Sequence, residues 1–123
     1  MKTSSAKGKG RRLQQWVRDQ ILETFPDLTP YDVASTSMGA AGVDVQLSTA
    51  ARRVFPFAVE CKNQESLNMW KAWNQAESNA GDLEPMLIVK KNHSAPLAIV
   101  DAEFLLERIG KLNHTVTVID PDL

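Results

Sequence analysis

At 123 residues, with 43% hydrophobic and 24% charged residues and a formal charge of −1 at pH 7, the chain has the proportions of one globular domain. Its single cysteine, Cys61, excludes an internal disulfide and any cysteine-rich zinc motif. No apolar run approaches the ~18 residues of a membrane span, and the start lacks the apolar core of a secretion signal, so the expectation is a cytoplasmic protein with no membrane partner.

Charge is unevenly placed along the chain. Residues 2–12 carry Lys2, Lys7, Lys9, Arg11 and Arg12 and no acid, and the first acid is Asp19. Residues 1–9 are expected as a basic flexible arm ahead of a single domain over residues 10–123. Lys7, Lys9, Arg11 and Arg12 are candidate DNA-binding residues, because phosphate contacts supply affinity without reading sequence. A plain solubilising tail has the same composition.

From Gly10 to Phe25 the spacing of Leu13, Trp16, Val17, Gln20, Ile21 and Phe25 predicts an amphipathic helix, ended by Pro26. A turn-rich link, Asp27–Thr36, leads to Val33–Ser37, an edge strand or extended loop. Met38–Gly42 is rich in small residues, which suits either close backbone approach to a ligand or a plain turn. Gly42–Leu47 and Phe55–Lys62 read as strands. Asn63-Gln64-Glu65 is expected to cap and open a helix running to about Ala80, packed through Met69, Trp70, Trp73 and Ala76.

Gly81–Pro85 breaks that helix, and the apolar run Met86–Lys90 predicts a central strand covered on both faces. A polar turn, Lys90–Ser94, leads to a strand at Pro96–Val100. Asp101 caps a last helix to about Leu112 with Phe104, Leu105 and Ile109 inward, and His114–Ile119 is expected to close as a strand. His93 and His114 lack ligand spacing and receive no chemical role.

The chemical signal lies on two of these strands. In Gly42–Leu47, Val43, Val45 and Leu47 share one face while Asp44 and Gln46 share the other. In the next strand Glu60 and Lys62 project together, opposite the apolar row Phe55, Phe57, Val59 and Cys61. Burying a carboxylate and an ammonium without partners is costly, and a metal ion and a phosphate would be suitable partners. If the two strands are antiparallel neighbours, Asp44 and Glu60 converge on one point and form an oxygen-ligand site of the kind Mg²⁺ prefers. Cys61 reads as a packing residue. There is no phosphate-binding glycine loop, dinucleotide fingerprint or Ser-His-Asp set.

The order Gly42-x-Asp44-Val45, an apolar strand ending Glu60-x-Lys62, and Gln75 on a following helix resembles the PD-(D/E)xK nuclease superfamily. Within it the likeness is to small phage-type and Holliday-junction-resolvase-like members, over roughly residues 7–110. The resemblance implies an α/β (α+β) fold with a restriction-endonuclease-like core, a mixed central β-sheet flanked by helices. It implies a Mg²⁺-dependent DNA endonuclease, with Mn²⁺ substituting, in which Asp44, Glu60 and the Cys61 backbone carbonyl hold the metal. Lys62 would orient or help deprotonate the attacking water, and Gln75 would contact water or the DNA backbone.

Branched, junction, flap, single-stranded and duplex DNA all remain open as substrates, and a junction resolvase would be a homodimer. A phage-encoded member would act in the host cytoplasm. Two positions depart from the superfamily pattern. Val43 stands in place of the proline, and Leu13-Gln14-Gln15-Trp16 stands where many relatives carry a glutamate on the first helix. The alternative reading is a catalytically inactive DNA-binding or assembly module on the same fold.

Overall fold

The computed structural model describes residues 2–36 and 43–119, with side chains over 5–36 and 43–113. The small-residue stretch Met38–Gly42 lies outside the described residues. In chain order the elements are α1 (Lys2–Thr24), β1 (Val33–Ser35), β2 (Val45–Leu47), α2 (Thr49–Val54), β3 (Phe57–Asn63), α3 (Met69–Asn79), β4 (Glu84–Lys90), β5 (Leu97–Ile99) and α4 (Ala102–Ile119).

The central layer is a mixed sheet. β3 and β4 run parallel, with Glu60 opposite Leu87 and Lys62 opposite Val89, and β5 pairs antiparallel to β4. α3 is the crossover between the two parallel strands, the connection that a parallel pair requires. β1 and β2 form a separate antiparallel pair.

Strand alternation distributes the core onto two faces. Val59, Cys61 and Ile88 pack under Leu13, Val17 and Ile21 of α1, together with Val33 and Val45. Leu87, of the opposite parity to Ile88, packs under Ala72 and Ala76 of α3, with Val89 partly buried beside it. The chain therefore forms a mixed sheet flanked by helices, as expected from its sequence. No helix among the described residues is long and apolar enough to cross a membrane.

Several expected boundaries move. Residues 2–9, expected as a flexible arm, are the first turns of α1. Propagating a helix costs little once its packed part has nucleated it, even through Gly8 and Gly10. A short helix, α2, occupies most of the Ser48–Val54 connection because Ser48 caps it, its hydroxyl accepting from the Ala51 N–H at 3.1 Å. β3 consequently starts at Phe57 rather than Phe55.

At its far end β3 runs on through Asn63, and the Gln64 N–H still donates to the Lys90 carbonyl at 3.0 Å. The next helix begins only at Met69, where the Asn68 side chain accepts from the Lys71 N–H at 3.1 Å. Trp70 is exposed, so small Ala72 and Ala76 form the close contact instead of the tryptophan. α3 ends at Asn79 with Ala80 as its C-cap, and Gly81 takes the left-handed conformation (φ 59°) that favours glycine after a helix.

The last element differs most. His114–Ile119 continues α4 instead of forming a strand. Its β-branched residues cost only tenths of a kcal/mol each in a helix already started at Asp101, whose side chain accepts from the Phe104 N–H at 2.9 Å. Phe104 meets Phe57 edge to face at 5.5 Å, but Leu105 and Ile109 are exposed rather than inward.

Candidate active site

Asp44 immediately precedes β2, and its backbone is held on both sides. Its N–H donates to the Val59 carbonyl of β3 at 2.9 Å, and its carbonyl accepts from the Thr36 N–H at 2.9 Å and the Thr36 hydroxyl at 3.2 Å. No paired ladder joins β2 to β3 among the described residues, so the antiparallel pairing envisaged for these strands is absent and Asp44 itself makes the link. Its Oδ2 accepts from the Cys61 N–H at 2.7 Å, which sets the carboxylate beside the Glu60–Cys61 peptide.

Glu60 and Lys62 lie on the face of β3 opposite the buried Val59 and Cys61. Glu60 is only 5% exposed, yet its Oε2 has no hydrogen-bond partner among the described residues. Burial, reinforced by the negative charge of Asp44, raises the Glu60 pKa above the ordinary carboxylate value, while Lys62 and a hydrogen bond from Asn79 pull it down. Burial likewise raises Asp44, against the Cys61 N–H and the Lys62 charge. Two acids and one lysine thus feel one another in a partly dehydrated corner, with two carboxylates competing for one cation.

Cys61 contributes backbone rather than sulfur. Burial, then the Asp44 and Glu60 charges, push its thiol far above the ordinary value, which removes the thiolate needed for nucleophilic work. Successive strand residues turn their N–H and C=O to alternate neighbours. Pro56 and Gln64 bond to β4, whereas Val59 and Cys61 bond toward Asp44. The Cys61 carbonyl therefore points toward the Asp44 edge of β3.

This donor set suits a hard divalent cation. Asp44, Glu60 and a backbone carbonyl offer oxygen donors only, the type that Mg²⁺ prefers. Among the described residues no group of three or more His, Cys, Asp or Glu side chains forms a fuller cage. On α1, Gln14 is buried and Gln15 exposed, so Gln14 is the one of the pair that faces the interior.

Gln75 lines a cleft of about 290 Å³ with Lys62, Gln64, Asn68 and Lys71. One helical turn later, on the same face of α3, stands Asn79, the hydrogen-bond partner of Glu60. Asn79 lies outside the set of site residues expected from the sequence. Its four-residue spacing from Gln75 was the available signal.

The basic residues separate into two groups. Lys9 and Arg12 line a second cleft, of about 350 Å³, with Trp16, Asn63, Lys90 and Asn92. Lys7 and Arg11 are exposed on α1 and are not among its lining residues. The Asn63 side chain donates to the Lys9 carbonyl at 3.3 Å and ties this turn of α1 to the end of β3. No protein-family model, curated protein or solved structure matches the chain.

Proposed function

We propose that this chain is a metal-dependent DNA endonuclease with a restriction-endonuclease-like core. The observation that carries the reading is the approach of Asp44 and Glu60 beside Lys62, with one buried Glu60 oxygen lacking a hydrogen-bond donor among the described residues. A buried carboxylate oxygen without a donor is costly, and a cation satisfies it. Asp44, Glu60 and the Cys61 carbonyl would hold Mg²⁺, or Mn²⁺ in its place. The ion would supply positive charge at the scissile phosphate and acidify a nucleophilic water.

The chain's own residues do the positioning. The Cys61 N–H fixes one Asp44 oxygen and leaves the other for the ion, while Asn79 orients Glu60. Lys62 places its ammonium next to the two acids, where it steadies the attacking water and the negative charge that grows on phosphate oxygens. Gln75, at the cleft shared with Lys62, holds water or the DNA backbone. The protein acts on DNA in the cytoplasm, and as a homodimer where a four-way junction must be cut on two strands.

The test is cleavage of labelled duplex, single-stranded, flap and four-way-junction DNA with Mg²⁺, Mn²⁺ or EDTA. Metal-dependent scission that disappears in Asp44→Asn and Glu60→Gln is the expected result. DNA binding without scission under any metal returns the protein to the alternative of a non-catalytic DNA-binding module.

A further inference from the structure

The cleft between α1 and the ends of β3 and β4 has a composition that catalysis at Glu60 does not use. Lys9, Arg12 and Lys90 reach it from distant parts of the chain, and no acid is among its described lining residues. Gathering three cations without an anion is unfavourable by itself, so the arrangement suits an anionic ligand. The Lys90 ammonium donates to the Lys91 carbonyl at 3.0 Å, which keeps it at the turn beside the cleft.

Trp16 adds a flat apolar surface. It also lines the neighbouring groove of Val17, Ile21 and Phe25, so packing steadies the indole while 42% of the residue stays exposed. Asn63 and Asn92 bring amides able to donate and accept hydrogen bonds. Cations for phosphate, an aromatic face for a base and amides for base edges together describe a nucleotide. A volume of about 350 Å³ holds something of small-ligand size, near the lower end of the usual ~300–1,000 Å³ range, and not a duplex.

The position relates this cleft to the acids. Asn63 follows Lys62 on β3, and strand alternation sends successive side chains to opposite faces. A polynucleotide crossing the end of this one strand meets Lys62 on one side and the basic cleft on the other. We propose that the cleft binds an unpaired DNA strand, one base stacking on Trp16 while Lys9, Arg12 and Lys90 hold phosphates. Resting on the endonuclease reading above, this narrows the substrate to DNA with a single-stranded segment beside the scissile bond.

The experiment measures affinity of the Glu60→Gln protein for oligothymidine and for a blunt duplex of equal length, across a salt series. Trp16→Ala is expected to weaken oligothymidine binding roughly 5- to 150-fold, equivalent to ~1–3 kcal/mol for one stacked base, and to leave duplex binding unchanged. Trp16→Phe keeps an aromatic face and should retain most of the affinity. Arg12→Gln should flatten the single-strand slope of log affinity against log salt by roughly 0.7.

Wild-type failure to bind oligothymidine overturns the proposal, as does a Trp16→Ala loss that is absent or equal on both DNAs. If melting shows Trp16→Ala to be unfolded, an Arg12→Gln slope identical to that of the parent overturns it instead. The endonuclease reading is checked separately, with wild-type protein and Mg²⁺. Absence of scission alongside Trp16-dependent oligothymidine binding removes that reading and upholds the cleft as a single-strand site. Cleavage of DNA with a single-stranded segment at the wild-type rate by Trp16→Ala upholds the nuclease and overturns the cleft as part of its substrate path.

Discussion

The two faces of β3 carry opposite energetic signs. Toward α1, Val59 and Cys61 bury apolar surface with Leu13 and Val17, each well-buried side chain of this kind contributing ~1.5–3 kcal/mol. Toward α3, Glu60 is equally enclosed but keeps an oxygen without a hydrogen-bond partner among the described residues and lies near a second carboxylate. One strand thus divides its work by residue parity. The apolar row holds the sheet together, and the charged row keeps two acids under burial that raises both their pKa values, a cost that the proposed cation would offset.

The largest expected effect is on chemistry. Glu60→Gln and Asp44→Asn should each reduce Mg²⁺-dependent cleavage by at least ~10²–10³-fold, the loss typical of removing one electrostatic stabiliser, while DNA binding stays largely intact. Single-turnover cleavage and a binding titration on the same preparations decide it. Wild-type turnover in either variant would break the contrast at its charged face.

On the apolar face the effect is on stability. Leu13→Ala should cost ~2–5 kcal/mol, because a nearly fully buried leucine leaves a cavity against Val17 and its neighbours. Urea denaturation measures this, and a cost below about 1 kcal/mol would mean that Leu13 does not anchor α1 to the apolar face of β3.

Asn79→Ala probes positioning. Losing the hydrogen bond to Glu60 should slow cleavage roughly 10-fold, near the low end of the ~1.5–3 kcal/mol for a hydrogen bond to a charged group. Because that bond lowers the Glu60 pKa, its removal should also move the acid limb of the pH–rate profile to higher pH. A purely structural role for Asn79 would change the melting temperature and leave the limb in place.

The smallest effect concerns metal and pH. Burial raises the pKa of both Asp44 and Glu60 in the folded state. A raised folded-state value means protonation favours folding: the stabilising contribution is complete below the unfolded pKa and is lost as pH rises through the folded one. In EDTA, Glu60→Gln should therefore melt higher than wild type at pH 7, and this advantage should shrink toward pH 4. Mg²⁺ at ten times its Kd should return ~1.4 kcal/mol to wild type and much less to the variant. Calorimetric melts with and without Mg²⁺ read both signs.

Much of the site was legible because strand alternation is local. Spacing alone put Glu60 and Lys62 on one face, made Cys61 a packing residue, and drew the stripe of Leu13, Val17 and Ile21. Other features required contacts between distant segments. The bond from the Cys61 N–H to Asp44, Asn79 reaching Glu60, and Lys90 joining Lys9 and Arg12 around Trp16 all leave no trace in neighbouring residues.

Boundaries follow the same division. Local propensity suggested a strand at His114–Ile119 and a helix opening at Asn63. Helix propagation from Asp101 and sheet pairing to Lys90 decided otherwise, since cooperative hydrogen bonding outweighs per-residue preferences of tenths of a kcal/mol. By itself the sequence determined which side chains share a face, because backbone geometry has short fixed periods. Only the tertiary structure decided which faces meet, because that depends on how the whole core closes.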